Sequence, residues 1–394
     1  MKRKEEEEEN VNSSIFLMLL LLIFFAAAAA AAVPEIVYIN LDTSVSRRNT
    51  MEHNLRTQQE EVRGLRNFST WSRLSAITPK DIFIPNDIMS SWNNSDCLDV
   101  STWSPTAAAA AAEFNSLFPK KKKKKIFING LCGVSSSNML IELAVTISHL
   151  LAIRRAVYSE TAISNYAVIL EDDVWTPFDI NYEAMADTVV EKVGPFGVLQ
   201  LFNSKPVDLL RNWELYVNDK NSIVVKRPSA FDGRYLPSWS TGSYIINRMR
   251  MKPIIDAIIS IDSNDDDGWI GFKILAGNTH PVCKPKICCD PTNYPLSCVY
   301  APVGFVADSF IYALNNSYTL TIPVFTVNEH GRTSTVHQSH VSIQHKKSFV
   351  RNNLFLSTLL SRVVALPSYL KISNNSEKTM TFISRSFSDE LRQV

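Results

Sequence analysis

A chain of 394 residues has room for two or three domains of about 150 residues each, or for one large α/β domain with insertions, and in either case for a sizeable core. Lys and Arg number 40 against 39 Asp and Glu, a net charge of +1, which excludes a histone-like protein and any recruitment of nucleic acid or an anionic membrane by net field. A hydrophobic content of 45% excludes a disordered chain, 12 glycines and 18 prolines exclude a fibrous one, and 6 cysteines are too few for a small disulfide scaffold.

In chain order the first element is the apolar run Ile15 to Val33, close to the ~20 residues that a helix needs to cross a bilayer. Lys2, Arg3 and Lys4 precede it, and the next basic residues are Arg47 and Arg48. The positive-inside rule therefore predicts a cytoplasmic tail over 1–14, a signal anchor over 15–33 and the remainder across the membrane. A cleaved signal peptide is the alternative, with an apolar core at Ile15 to Phe25 and cleavage sites in the alanines before Pro34. Both place residues 34–394 in a lumen or outside the cell, where the sequons at Asn67, Asn93, Asn315 and Asn374 become glycosylation sites. The plain alternative, a buried helix of a soluble protein, needs a very large core to cover a segment apolar on every face.

Glu35 to Asp42 is a β-branched run ended by polar residues, followed by Ser44 and Ser46 as cap candidates and a helical stretch from Arg47 to Arg63. A second strand is expected over Trp71 to Ile77. From Thr78 to Lys125 Trp and Pro interleave with Asn and Ser, and then come runs of alanine (107–112) and lysine (120–125), which reads as an insertion or long surface loop. Apolar residues at 139, 140, 143, 147, 150, 151 and 157 predict a helix with one buried face. Strands follow at Tyr166 to Leu170, Val198 to Phe202 and Trp239 to Asn247, with a helix over Met251 to Ile261. Strands alternating with helices predict an α/β sheet covered on both faces. The stretch from Asp262 to Cys298 interrupts that rhythm, which resumes at Gly304.

The central strand ends in Glu171-Asp172-Asp173. Three adjacent carboxylates at the carboxyl edge of an α/β sheet lie where such folds bind ligands, and they repel one another unless a cation or a base compensates. In an extended chain Glu171 and Asp173 point the same way and can share a hard divalent cation. A solvated loop or a helix cap is the alternative reading.

Four motifs in order carry a resemblance. Ile39-Asn-Leu-Asp42 with Arg47-Arg48, Ser148-His149 on a helix, Ile169-Leu-Glu-Asp-Asp-Val174, and Trp239-Ser-Thr-Gly-Ser-Tyr-Ile-Ile246 resemble glycosyltransferase family 25, over about residues 35 to 345. That family holds lipooligosaccharide β-galactosyltransferases and collagen hydroxylysine galactosyltransferases. The resemblance implies a GT-A-like nucleotide-sugar-binding domain over 34–345, with insertions at about 78–125 and 262–298 and a C-terminal extension at 346–394. It also implies a UDP-sugar donor, a divalent cation such as Mn²⁺, and transfer of a hexose, galactose by analogy, with inversion. On this mapping Glu171 and Asp173 are metal ligands, and Asn40, Asp42, Arg47, Arg48, Asp172, Thr241 and Gly242 bind the nucleotide-sugar. Arg47 or Arg48 would pair with a phosphate, a surface pair at a helix start being the other reading. His149 lies among core residues and reads as structural or supporting, while Trp239 and Tyr244 line the sugar side or simply pack.

Inversion needs a base near the acceptor hydroxyl. Asp308, in Val306-Ala-Asp-Ser-Phe-Ile-Tyr312, matches the family's late Asp and is the residue chosen; Asp265, Asp266 and Asp267 lie in a loop that looks solvated. His337 and His340 are further candidates or surface histidines. Cys283, Cys288, Cys289 and Cys298, near His280, have no common zinc spacing, and a lumenal compartment favours disulfides, with Cys97 and Cys132 as a further pair. The expectation is a single-pass type II enzyme of the Golgi or endoplasmic reticulum membrane, secreted if its N-terminus is cleaved, acting on a protein or glycan acceptor and on no nucleic acid. The alternative is a non-catalytic carbohydrate-binding or adhesion protein on the same fold; a metal-dependent hydrolase lacks a second motif at useful spacing.

Overall fold

The structure is a computed structural model and describes residues 33–61, 70–83, 126–128, 139–226, 240–261, 270–272, 307–314, 316–327, 343–361 and 364–372. The chain divides into Met1–Val33 and Pro34–Val394. The expected anchor or signal segment falls outside the described residues except for Val33, and so do the six cysteines, Trp239, Asp265 to Asp267, His337, His340 and the four sequon asparagines. Among the described residues no helix is long and apolar enough to cross a membrane.

The elements run β1 (Glu35–Asn40), α1 (Val45–Glu61), β2 (Trp71–Ser75), β3 (Ile82–Phe83), β4 (Ile126–Ile128), α2 (Met139–Val157), β5 (Tyr166–Glu171), β6 (Val174–Trp175), β7 (Phe178–Ile180) and α3 (Tyr182–Val193). They continue with β8 (Val198–Gln200), α4 (Pro206–Asn218), β9 (Val224–Lys226), β10 (Ser243–Asn247), α5 (Arg248–Ile258), β11 (Ile259–Ile261), β12 (Ile270–Phe272), α6 (Ala307–Ala313), β13 (Ser317–Leu320), β14 (Thr326–Val327), α7 (Ile343–Leu360) and β15 (Leu370–Ile372). Seven strands form the central sheet in the order β2-β1-β5-β10-β8-β13-β9. Five of them share one direction, and β10 and β9 run against it. The α/β fold is therefore as expected, and its central sheet is mostly parallel.

Alternation along the strands divides the core into two layers. In β1, Ile36 and Tyr38 enter one cluster and Val37 and Ile39 the other; in β5, Val168 and Leu170 oppose Ala167 and Ile169. Helices α2, α5 and α6 cover the Val37 face, and α1, α3, α4 and α7 contribute to the Ile36 face. Ile36, Val37 and Val168 are 0% exposed, and each such side chain contributes about 1.5–3 kcal/mol on burial. Local chemistry sets the ends of α3: the Asn181 side chain accepts from the Ala184 N–H at 3.0 Å, and Gly194 stops the helix with φ 78°.

Two expectations change. The helix expected over Met251 to Ile261 begins earlier, at Arg248, because the Asn247 side chain caps it by accepting from the Arg250 N–H at 3.1 Å. It ends at Ile258, because Ile259–Ile261 pairs with β12 instead. The boundary drawn at 345/346 falls inside α7, whose Leu356 and Leu359 lie in the Ile36-side core together with Tyr369 and Leu370. The two expected insertions also meet: β3 and β4, at either end of the first, join β12 from the second in a four-stranded sheet of order β11-β12-β4-β3.

Candidate functional site

The sheet order sets a topological switch point before any side chain is considered. From β1 the chain crosses through α1 to β2 on one side, then returns through α2 to β5 on the other side of β1. The two crossovers diverge there, and in open α/β sheets ligands bind beyond the carboxyl ends of strands at such a switch point. Asn40 ends β1 and Glu171 ends β5, and the register pairs Ile39 with Glu171.

The acids close over this point. Asn40 Nδ2 donates to Asp172 Oδ2 at 2.5 Å and to the Ser44 carbonyl at 3.1 Å, tying the two strand ends together. Arg47, in the first turn of α1, presents one terminal nitrogen to Asp172 Oδ1 at 3.3 Å and to Asp173 Oδ2 at 3.4 Å. Glu171, by the alternation of β5, faces α2: its Oε1 accepts the Thr241 hydroxyl at 2.7 Å and lies 3.3 Å from His149 Nε2. His149, 1% exposed, has its Nδ1 3.0 Å from the Tyr244 hydroxyl. Extended backbone stops at Glu171, and Asp172 and Asp173 form a turn. The expected same-face relation of Glu171 and Asp173 therefore does not hold as an extended-chain rule; the turn brings Asp172 and Asp173 onto one guanidinium.

Electrostatics separate the three carboxyls. Burial pushes Glu171 up, but the hydrogen bond and charge of His149, the Thr241 hydroxyl and Arg47 outweigh it and hold the carboxyl below its usual range. Burial raises Asp172 beyond what Asn40 and Arg47 offset. Asp173 is pushed up to about 7 by burial and by the negative charges of Glu171 and Asp172. Here two carboxylates meet one guanidinium.

The facing wall is the segment 240–242. Ser240 has φ 87°, a left-handed conformation rare outside glycine. Its N–H donates to Asp308 Oδ2 at 2.7 Å, and its carbonyl accepts from Gln200 Nε2 at 2.9 Å and the Tyr312 hydroxyl at 2.8 Å. Its Oγ accepts from the Gly242 N–H at 3.0 Å. A Cβ on Gly242 would stand 2.7 Å from Val174 Cγ1 and 2.8 Å from Phe202 Cδ1, so only glycine lets this segment lie against the strand that follows the acids.

The structure thus brings together Asn40, Arg47, Glu171, Asp172, Asp173, Thr241 and Gly242, with Asp308 holding the 240–242 segment. Asp42 stands aside, 71% exposed and paired with Arg73; the Ser75 hydroxyl and Arg73 lower its carboxyl. Arg48 acts on Asp42 and Tyr38 through its charge. Sequence reasoning missed Arg73, whose Nε donates to Asn40 Oδ1 at 3.0 Å and so orients the amide that grips Asp172. It also missed Gln200 and Tyr312. An Arg or Gln in a strand beside a parallel neighbour is the available signal, and it needs the pairing to be known.

Among the described residues no group of three or more His, Cys, Asp or Glu side chains has an arrangement that would hold a metal ion. Glu171 is held by His149 and Thr241, and Asp173 by Arg47. No family model matches the chain, and a search of curated proteins finds no match. The resemblance to family 25 rests on the motif residues alone.

Proposed function

We propose that the chain is a glycosyltransferase with a GT-A-like nucleotide-sugar-binding domain, transferring a hexose from a UDP-sugar to a protein or glycan hydroxyl with inversion. The observation that carries the reading is the acid turn joined to β1 by Asn40 and Asp172 at the sheet's switch point, where an α/β fold receives a nucleotide. Glu171 and Asp173 would hold a divalent cation such as Mn²⁺, which when bound neutralises charge on the departing diphosphate. Arg47 and Asn40 are the donor-side polar groups, Thr241 and Gly242 shape the facing wall, and Asp308 is the base candidate, accepting the acceptor's proton. His149 keeps Glu171 oriented and ionised. Residues 15–33 would anchor the enzyme, type II, in the Golgi or endoplasmic reticulum membrane, or direct its secretion if cleaved.

The test is UDP release from UDP-sugars by the full chain, with Mn²⁺ and with chelator, beside Asp173→Ala. Metal-dependent release that falls at least about 100-fold in the variant is expected, the scale of losing a group that acts on the transition state. Absence of release and of UDP binding for all common UDP-sugars would sink the enzyme reading. One observation favours the alternative, a carbohydrate-binding or adhesion protein on the same fold: each of the three carboxylates already has a protein partner.

A further inference from the structure

We infer that the amino edge of the central sheet, where β1 and β5 begin, rests on a lipid bilayer, with Ile163 and Met249 entering its interface. The inference rests on reading Ile15 to Val33 as a membrane anchor. Only Pro34 separates that apolar run from Glu35, the first residue of β1. A fully extended chain gains at most about 3.5 Å per residue, so a bilayer that holds Val33 lies within about 10 Å of the start of β1. No linker lets the sheet stand off, and the edge that carries Glu35 is the one that lipid meets.

Three chain segments come together at that edge. Residues 158–165 lead from α2 into β5, residues 194–197 lead from α3 into β8, and antiparallel β10 delivers Arg248 and Met249 to the start of α5. Backbone bonds tie them: the Arg248 N–H donates to the Asn165 carbonyl at 2.9 Å, and the Asn247 N–H to the Gly197 carbonyl at 3.0 Å. From this frame Ile163 is 63% exposed and Met249 71%, with Tyr158 and Val193 exposed on the same edge. Single exposed apolar residues are ordinary, whereas several on one edge mark a membrane or protein contact, and the tether selects the membrane. Tyrosine suits the depth of the headgroups. Glu160 and Glu191 share the edge with Lys192 and Arg250, so charge draws it to lipid little and the contact is apolar. At about 3.3 Å per residue the six residues of β5 span about 20 Å. The acid turn at the far end of β5 then faces away from the bilayer, toward acceptors that are not embedded in it.

The test reconstitutes the full chain in phosphatidylcholine vesicles whose lipid is brominated near the headgroup end of its acyl chains, a contact quencher of tryptophan. A tryptophan is added at Ile163→Trp, at Met249→Trp or, as the control, at Val207→Trp, which is 67% exposed at the start of α4 on the carboxyl edge. The fluorescence that each adds to the 7 native tryptophans is read as the difference from wild type. Quenching of at least about half is expected at 163 and at 249 and almost none at 207, and about 1 M salt should leave it unchanged, because the contact is apolar. No quenching at 163 or at 249, equal quenching at all three, or its loss in salt overturns the proposal. Alkaline carbonate extraction of the same vesicles separates the two readings: a chain that stays with the lipid but is not quenched keeps the anchor and overturns the resting edge, and a chain that carbonate releases overturns the anchor and the proposal with it.

Discussion

The two edges of the central sheet both bury charge, and they do it differently. At the amino edge, where β1 and β5 begin, Glu35 and Arg248 are 7% and 6% exposed and lie 3.0 Å apart. Glu35 Oε2 also accepts the Ser159 hydroxyl at 2.7 Å, and Arg248 Nε donates to the Tyr166 carbonyl at 3.1 Å. The Glu35 Oε1 and Arg248 terminal nitrogens have no well-directed hydrogen bond, so that contact is one of charge and not of geometry. One acid meets one base. At the carboxyl edge three acids share one arginine, and burial together with that imbalance raises Asp173 to about 7. A closed pair serves the fold, whereas an unbalanced cluster costs stability and points to a ligand that completes it.

Breaking the amino-edge pair should cost most. Arg248→Met leaves Glu35 charged and buried, and a loss of about 3–5 kcal/mol in unfolding free energy is expected, read by denaturant titration. A loss below about 1 kcal/mol would mean that the pair is as dispensable as a surface bridge.

At the other edge the opposite sign is expected. Asp173 has its folded pKa raised above the ordinary value of 3.8, so the folded chain binds the proton more tightly than the unfolded one. Its destabilising contribution is absent below about pH 4, grows as pH rises from 4 to 7 and is complete above 7. Asp173→Asn should therefore match wild type in stability at pH 4 and exceed it by on the order of 2 kcal/mol at pH 8, in metal-free buffer. Paired melting curves across that range check it, and an Asn variant less stable at pH 8 would refute the surplus-charge account.

The smallest effect sharpens the geometry of the facing wall. Gly242→Ala forces Val174 and Phe202 aside and should cost about 1–2 kcal/mol, with UDP release falling more than stability does. Equal activity in the variant would show that the 240–242 segment needs no close fit to the acid turn.

What was legible in the sequence was whatever repeats along it. The helix over Met139–Val157 and the strand from Tyr166 have the expected starts because the first follows one helical period and the second is a short continuous apolar run. The acid triplet was legible because it interrupts an apolar strand. The turn at Asp172 was not, since it depends on Arg47, 125 positions earlier, satisfying both carboxylates. Arg73 reaches Asn40 only because β2 pairs beside β1 in parallel, and no local pattern encodes that register. The left-handed Ser240 was hidden for the same reason: its conformation is held by Gln200, Asp308 and Tyr312, from two other elements. The site's acids can be read from the chain, and their orientation comes from contacts that only the fold creates.

Helix α7 carries a consequence for the order of events during synthesis. Its Asn353 Oδ1 accepts the Thr326 hydroxyl of β14 at 3.0 Å, and β14 pairs with β6, the strand directly after the acid turn. Arg351 donates to the Pro206 carbonyl at 2.7 Å, and Ser348 to the Ser204 carbonyl, just past β8. Loops made early in translation are thus fastened by a helix made late. A nascent chain stalled before residue 343 would carry every acid of the cluster while the 204–206 loop and β14 still lacked the helix that fastens them.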